Sequence, residues 1–393
     1  MIKSIGVGST GYEANPYKIQ ERLIGSIWGI TTFFNSQRYT NKLANYRKFR
    51  KMSQKQGLRL ITVELAFGNR AFELFSQDSD LLVQVRSNAV IWHKERLLNI
   101  GLMNLPLDCD KVIWVDADTI FDNDNWVEET ARLLEEYVVV QAFSQCGFLT
   151  EKDTQSFLTS ENREVLASKY LNRLSPGFPF YLNHYGGFID GEKVSKIAMP
   201  GLAWGARRKF LDKTLFYDKC ILGGADWLDA ISFYRFQKNA IGAFINTPVL
   251  QGLCLEMESR SKAIFDLVQE SVYFVNGTIF HLFHGNIQNR LYNARYNFFG
   301  EAFDWNKEII INSYNCWDWR DTKSPVKKSI ERYFLLRNEE NQWLKQLLFY
   351  LYLHRYLLSQ FVLKFPKLRI LLKPLIKLYK IFEYIFKKSR HIQ

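Results

Sequence analysis

The first 145 residues alternate between short apolar runs and amphipathic segments. The apolar runs predict buried strands at 27–34, 58–65, 81–86, 112–115 and 138–143, and the amphipathic segments predict helices at 39–56, 94–104 and 126–137. Strands that alternate with helices usually build a parallel, Rossmann-like sheet, so the sequence predicts an α/β fold. From 147 to 200 the period is lost and Gly and Pro cluster, which predicts loops around a site. Strand and helix signals return from 202 to 285, and 286–325 looks irregular.

The basic residues are concentrated at the carboxyl terminus. Residues 341–393 hold eleven Lys and Arg and a single acid, within a net charge of +12. The remaining chain is nearly neutral, which argues against a nucleic-acid-binding protein and for a tail that meets an anionic surface. Basic residues recur at helical spacing over 369–387, so we expect two tail helices that lie in a bilayer interface. Packing of these helices on the body or on another protomer is the alternative.

The cysteines and the amino terminus indicate a compartment. The five cysteines are scattered and form no Cys-x-x-Cys pair, which predicts reduced thiols in a cytosolic protein. The first residues lack the apolar core of a signal peptide. With the basic tail, this predicts a cytoplasmic protein attached peripherally to the inner face of the cell membrane.

Two carboxylates, Asp116 and Asp118, directly follow the apolar run at 112–115. Ligands of open α/β sheets bind beyond the carboxyl ends of the strands. Because buried carboxylates need a partner and hard cations prefer oxygen ligands, we expect a divalent cation there. A turn or a helix N-cap would also explain an Asp at this place.

A second set of candidate ligands lies far downstream. His281 and His284 are three residues apart and precede Gly285. For His281 we favour a hydrogen-bonded core histidine, and for His284 a metal ligand, since an imidazole beside carboxylates suits manganese better than magnesium. Arg290 and Arg295 would grip a diphosphate in bidentate fashion, or else lie on a solvated helix face.

The segment Gly223-Gly224-Ala225-Asp226-Trp227 precedes an apolar helical run. Two glycines let a backbone approach a ligand closely. Asp226 would then deprotonate an acceptor hydroxyl, although it would equally cap the helix that follows. Trp204, which lies between small residues, suits sugar stacking and core packing equally well.

Together these motifs resemble inverting GT-A glycosyltransferases, and within them the β-1,4-galactosyltransferase-like and family-2-like enzymes. The matching elements are 31–35, 94–99, Asp116 with Asp118, 223–227 and His284. The chain departs from the pattern at Trp92-His93-Lys94, where Asn-Arg is expected, and it has one acid rather than a run after Gly224. Donor identity is therefore left open by the resemblance.

The resemblance implies a GT-A domain over 1–325, with a donor half at about 27–145 and an acceptor half at about 146–300, and a basic helical tail over 326–393. It implies transfer of a sugar, with inversion, from a nucleotide-diphosphate sugar such as a UDP-sugar to a glycan or lipid-linked glycan in bacterial surface polysaccharide or lipopolysaccharide synthesis. Asp226 would be the base, and Asp116, Asp118 and His284 would hold Mn²⁺ or Mg²⁺. The implied donor-binding residues are Thr31, Phe33, Asn35, Lys94, Arg96, Asn99, Asp116, Arg290 and Arg295. The implied acceptor-binding residues are Trp204, Gly223, Gly224 and Trp227.

Two other functions use the same features. A catalytically inactive GT-A domain would act as an assembly partner on the membrane. A sugar nucleotidyltransferase would also use strand-end acids and a metal. Such an enzyme would be expected to carry a Gly-rich loop with Lys or Arg near the amino terminus, and the loop at 6–11 is Gly-rich but has no basic residue close by.

Overall fold

A computed structural model of the chain describes residues 17–185, 197–234, 251–298 and 303–340. These residues fall into two compact units: 17–284, with the gaps just given, together with 293–331, and 285–292 together with 332–340. The glycine-rich loop at 6–11 and the tail helices predicted within 341–393 lie outside the described residues.

The described strands and helices follow the chain in this order. The strands are β1 Ser26–Phe34, β2 Leu60–Phe67, β3 Leu81–Ser87, β4 Cys109–Val115, β5 Thr119–Phe121, β6 Val139–Gln141, β7 Gln145–Phe148, β8 Ser175–Pro176, β9 Ala203–Arg207, β10 Val272–Phe274, β11 Thr278–His281, β12 Ile309–Ile311 and β13 Trp317–Trp319. The α-helices are α1 Thr40–Lys55, α2 Lys94–Met103, α3 Trp126–Leu133, α4 Glu151–Ser160, α5 Arg163–Tyr170, α6 Phe178–Tyr185, α7 Arg208–Thr214, α8 Ala225–Ser232, α9 Gln251–Val268, α10 Trp305–Glu308 and α11 Pro325–Leu336. Short 3₁₀ helices occupy Ser76–Asp78, Leu171–Arg173, Ile287–Arg290 and Tyr292–Phe298.

A seven-stranded sheet forms the centre of the first unit. Its strand order is β10-β6-β9-β4-β1-β2-β3. All neighbours in it are parallel except β9, which runs antiparallel to both β4 and β6. The predicted α/β class, with a mostly parallel, Rossmann-like sheet and flanking helices, is therefore confirmed.

A second, four-stranded sheet has the order β5-β11-β7-β8. β11 runs antiparallel to β5 and places His281 opposite Thr119. Because Thr119 directly follows Asp118, this pairing brings two distant parts of the chain together at the end of β4.

Apolar side chains on the two faces of the central sheet form the core. Every residue of β2 is buried, as expected for a parallel strand covered on both faces. Helix α2 packs on β1 and β2, and Gly101 permits the close approach, since a Cβ there would lie 2.4 Å from Cγ2 of Ile30. The helix that carries Lys94 is thus held directly on the strands that end at the candidate site.

The prediction of loops over 147–200 is wrong for the parts of that segment that form helices. Helices α4, α5 and α6 occupy much of it. Two of them have capping signals in the sequence, because Thr150 accepts a hydrogen bond from the backbone N–H of Asp153, and Asn162 accepts one from that of Val165.

Two further observations concern cysteines and membranes. All five cysteines lie within the described residues and are free thiols. Among the helices of the described segments, none has both the length and the apolarity to cross a membrane.

Candidate functional site

The candidate site lies where β4 ends. The backbone N–H of Asp116 donates to the carbonyl of Leu202 at 2.8 Å, and the backbone N–H of Leu282 donates to the carbonyl of Asp118 at 2.8 Å. The Oγ1 of Thr119 donates to the Asp116 carbonyl at 2.9 Å. The turn that carries both acids is therefore fixed by backbone bonds from two distant segments.

Asp118, His281 and His284 form a group that can hold a metal ion. One ligand atom from each residue lies within 4.8 Å of the others. The Nε2 atoms of His281 and His284 each lie 3.6 Å from a different oxygen of the Asp118 carboxylate. These separations exceed a hydrogen bond, whereas ligand atoms around one ion with bonds of about 2.1 Å lie roughly 3.0–3.5 Å apart. The donor set suits a divalent cation, and the two 3.6 Å separations are close to that spacing.

This group differs in two members from the predicted one. His281, expected to be a hydrogen-bonded core residue, is buried at 5% exposure and also belongs to the group. Asp116, predicted to be a ligand, instead contacts Lys94. The pairing of β5 with β11 is what brings His281 to Asp118, and a local pattern in the sequence carries no signal for it.

Lys94 joins the acid at the end of β4 to the acid of helix α8. Its Nζ lies 2.6 Å from Oδ1 of Asp116 and 2.9 Å from Oδ1 of Asp226. Lys94 is only 7% exposed, so its aliphatic stem is buried and its ammonium group is the part that reaches the two acids. The predicted base and a predicted donor-side acid are thus held by one cation.

Burial and neighbouring charges shift the pKa values of several side chains around Lys94. Burial raises the pKa of Asp116 to about 6, against the lowering effect of Lys94 and with repulsion from Asp226 and Asp118. Burial would lower the pKa of Lys94, but Asp116 and Asp226 together raise it well above its usual value. Behind them, burial also raises the pKa of Glu95 well above its usual range, and that of Asp229 to about 6. Perturbed groups that converge in this way are typical of functional sites.

Asp226 lies in the first turn of α8 and does not cap it. The N-cap is Gly224, with φ of 106° and no side-chain cap, and Gly223 has φ of 85°. Both glycines adopt a conformation that other residues rarely take. Gly201 also allows a close approach, since a Cβ there would lie 3.1 Å from Cγ of Asp226. The sequence-based capping alternative for Asp226 is therefore not what the structure shows.

Aromatic and cationic side chains border the same glycine turn. A Cβ at Gly223 would lie 3.4 Å from the Trp92 ring and 3.5 Å from an Nη1 atom of Arg295. The hydroxyl of Tyr296 donates to the Gly223 carbonyl at 2.7 Å, and the Arg295 guanidinium lies 5.1 Å from the Tyr296 ring centroid. Arg295 thus lies beside the predicted acceptor element, and its diphosphate-binding role stays a prediction. Trp92 and Tyr296 are residues that the motif search did not select.

Three predicted donor-binding residues at the end of β1 have structural contacts. The buried Thr31 hydroxyl donates to the carbonyl of Val115 at 2.7 Å. Phe33 packs edge-on against Tyr46 in the core. The Asn35 amide donates to the carbonyl of Tyr39 and accepts from its N–H, at 2.9 and 2.8 Å. These contacts shape the strand end, and the nucleotide contacts predicted for the three residues stay a prediction.

The helix-α2 pattern also includes two structural residues. Asn99 bonds the backbone N–H and carbonyl of Phe216, at 2.8 and 3.0 Å. Arg96 lies against the Trp317 ring, with 5.1 Å to the ring centroid, and pairs with Asp218 at 3.3 Å. Both side chains tie α2 to neighbouring segments, and their donor-binding roles stay predictions.

The two predicted acceptor-binding tryptophans are mostly buried. Trp204 is 2% exposed, and its indole N–H donates to the carbonyl of Pro200 at 2.8 Å. Trp227 is 7% exposed and packs edge-on against Phe178. The core-packing alternative therefore describes Trp204, and Trp227 lies mostly buried in the first turn of α8.

Arg290 belongs to the second unit. Its guanidinium Nη2 donates to the carbonyl of Gly285 at 3.0 Å, and Nη1 lies 3.4 Å from the hydroxyl of Tyr292. It is 5% exposed. Its diphosphate-binding role stays a prediction.

No protein-family model and no curated protein matches the chain. Among solved structures, it is similar to M. tuberculosis glucosyl-3-phosphoglycerate synthase, with 11% identity and a TM-score of 0.36 over 75% of this chain and 86% of that one. It is also similar to the catalytic domain of Drosophila beta1,4galactosyltransferase 7, with 14% identity and a TM-score of 0.25 over 53% and 58%. A third similar structure is 4-diphosphocytidyl-2C-methyl-D-erythritol synthase from Anaerococcus prevotii, with 11% identity and a TM-score of 0.28 over 64% and 86%. Similarities this low carry no argument, so the chemistry must be inferred from the side chains of this chain.

Proposed function

We propose that this protein is a metal-dependent, inverting glycosyltransferase of the GT-A type. It transfers a sugar from a nucleotide-diphosphate sugar, most simply a UDP-sugar, to a hydroxyl group of a glycan. One observation carries the proposal. At the carboxyl edge of the mostly parallel sheet, Asp118, His281 and His284 form a group that suits a cation. Two residues before Asp118, Asp116 contacts Lys94, which joins it to a second acid, Asp226. Open α/β sheets bind nucleotides at this end.

Asp118, His281 and His284 would hold the cation. When bound, a divalent cation would neutralise charge that develops on the departing diphosphate. Two imidazoles in the set favour manganese, which accepts nitrogen ligands more readily than magnesium does. The proposal of Mn²⁺ rests on this donor set.

Asp226 would serve as the general base. The acceptor oxygen forms a bond to the anomeric carbon, the bond from that carbon to the diphosphate oxygen breaks, and the hydroxyl proton passes to the Asp226 carboxylate. A single displacement of this kind inverts the anomeric configuration. The Trp92 ring, which lies beside the glycine turn before Asp226, would offer an aromatic surface to a sugar acceptor.

The proposal is tested by incubating the full-length protein with a panel of nucleotide sugars, Mn²⁺ and glycan acceptors. We expect nucleoside diphosphate to be released and the new glycosidic bond to have the configuration opposite to the donor, as read by NMR. Asp226→Asn should lower kcat by roughly 10²–10⁴-fold, the usual contribution of a general base. Retention of configuration would remove Asp226 from the role of base.

The same assay separates the two other functions. Release of pyrophosphate, with formation of a nucleotide sugar, would identify a sugar nucleotidyltransferase. Binding of nucleotide and acceptor without turnover under any condition would indicate an inactive assembly partner. Nucleoside diphosphate release that depends on acceptor supports only glycosyl transfer.

The acceptor and location are further parts of the proposal. The eleven basic residues of 341–393 favour an anionic membrane surface. The protein would then act at the inner face of the cell membrane, on a lipid-linked glycan for surface polysaccharide or lipopolysaccharide. Sedimentation of full-length protein with liposomes containing phosphatidylglycerol, at low salt, tests this. If the protein stays in the supernatant, the membrane part of the proposal fails.

A further inference from the structure

The side chain of Lys94 is anchored more firmly than the acids that it contacts. Lys94 is the first residue of α2, whose packing on β1 and β2 fixes its backbone. The backbone N–H of Trp92, two residues earlier, donates to the carbonyl of Ile221 at 2.8 Å. With 7% exposure, the lysine has few other rotamers available. Its ammonium group is therefore a fixed point in the site.

The side-chain direction of Asp226, in contrast, is set mainly by the bond that its carboxylate makes. It follows two glycines with positive φ and makes no capping bond within its own helix. Among the described residues, its hydrogen-bonding partner is Lys94, at 2.9 Å. On the other side lies the open Cα of Gly201, which offers contact but no hydrogen bond to direct the carboxylate. The direction of this acid thus depends on one bond.

The same ammonium group also pairs with Asp116 at 2.6 Å. If the lysine were uncharged, two partly exposed carboxylates would face each other with no cation between them. Removing one partner of a buried ion pair leaves an uncompensated charge, and the remaining group turns toward water. Asp226 would then leave the end of β4.

We propose that Lys94 is the positioning residue of this enzyme: by holding Asp226 against Asp116, it keeps the base directed at the edge of the sheet where the donor binds. This inference rests on the proposed function. Lys94 acts through Asp226 and needs no contact with the substrate for this role. A displacement of about 1 Å in a reacting group can cost roughly 10²-fold in rate, so the effect of losing the lysine should be large.

The test is a double-mutant cycle on the full-length protein. Lys94→Met keeps the length of the side chain and removes its charge, and we expect kcat for sugar transfer to fall roughly 10²-fold. In the Asp226→Asn background, the same change should cost less than about threefold, because the residue through which it acts is already disabled. Losses that multiply in full would overturn the inference and assign Lys94 an independent role, such as donor binding.

Lys111→Met is the matched control. Lys111 is also buried and paired with an acid, Asp110 at 2.9 Å, but it lies near the start of β4. It should lower the midpoint of thermal unfolding while leaving kcat within about twofold of the wild type. If Lys94→Met behaves like this control, its role is structural only and the inference fails. Should Lys94→Met not fold, Lys94→Gln, which also removes the charge, goes through the same cycle.

A crystal structure of Lys94→Met separates this inference from the proposed function. We expect the Asp226 carboxylate to rotate away from Asp116, whether or not the protein transfers a sugar. An unchanged Asp226 would overturn the inference even in an active glycosyltransferase. Absence of sugar transfer by the wild type, with a rotated Asp226 in the variant, would refute only the proposed function.

Discussion

Two buried lysines lie at opposite ends of β4 and differ in what they bind. Near the start, Lys111 pairs with Asp110 and donates to the carbonyls of Leu23 and Gly25, at 2.9 and 3.0 Å. At the carboxyl end, the described partners of Lys94 are two carboxylates. Lys111 completes a set of hydrogen bonds to backbone carbonyls. Lys94 brings one positive charge to Asp116, Asp226 and the nearby Asp118, so this end of β4 carries an excess of negative charge. Charged groups that are fully paired stabilise the fold, whereas an excess of one charge favours binding of a ligand of the opposite charge.

The largest effect should come from the acid between the two imidazoles. Asp118→Ala should weaken Mn²⁺ binding by at least 100-fold and lower sugar transfer about a thousandfold, since the charge of the diphosphate then lacks a counterion. Calorimetric titration with Mn²⁺ and initial rates measure the two quantities. Asp108→Ala, an exposed acid before β4, is the control and should change neither. Wild-type Mn²⁺ affinity in Asp118→Ala would contradict the metal assignment.

A smaller effect should follow from loss of either imidazole. His281→Gln and His284→Gln should each weaken Mn²⁺ binding by roughly 10–100-fold, because two of the three ligands remain. The electron paramagnetic resonance signal of free Mn²⁺ gives the affinity without any turnover. His184→Gln, an exposed imidazole outside the group, should behave like the wild type. If only the His284 change matters, His281 is a core residue after all.

The opposite end of β4 should respond in stability alone. Lys111→Met leaves Asp110 and two carbonyls without their donor, so the free energy of unfolding should fall by about 2 kcal/mol. Denaturation in urea measures it, and kcat should not change. A loss of turnover without a loss of stability would erase the contrast between the two lysines.

Asp153, a carboxylate of helix α4, should show a pH-dependent effect on stability of similar or smaller size. Burial would raise the pKa of Asp153, but bonds from Lys169, Tyr170 and Thr150 hold that pKa at about 2. Since this lies below the unfolded value near 4, the bonds stabilise the fold above pH 4, and the benefit is lost as pH falls toward 2. Asp153→Asn should cost about 2 kcal/mol at pH 7 and progressively less below pH 4. A cost independent of pH would mean that packing, not charge, is lost.

The fold of the first 145 residues could be predicted because its signals are local. Periodicity gave β1, β2, β3 and the helices α1, α2 and α3 to within a few residues, except for an earlier end of α3. It failed over 147–200, where polar caps such as Thr150 begin helices with little apolar period. A periodic pattern of apolar residues marks the buried face of a helix, and this pattern is harder to recognise where the helix is short.

The site could be predicted only in part for a different reason. The position of Asp118 follows from the strand before it, but the neighbour of that acid does not. His281 reaches Asp118 only because β11 pairs with β5, and Asp226 reaches Asp116 only through Lys94. The resemblance implies donor binding for Asn35 and Asn99, but it carries no signal for the backbone groups that both side chains bond. Which partner a polar group takes is a tertiary property.

The antiparallel strand β9 has a consequence for the synthesis of this chain. The parallel block β4-β1-β2-β3 is complete at residue 115, yet β4 gains its other neighbour only when β9 arrives at 203–207. Until then a nascent chain exposes the backbone of β4 as an open edge, and open edges are templates for association between chains. A ribosome that pauses between residues 115 and 203 would prolong the state in which this edge is exposed. Codon choice over 116–207 should therefore affect yield more than codon choice before it.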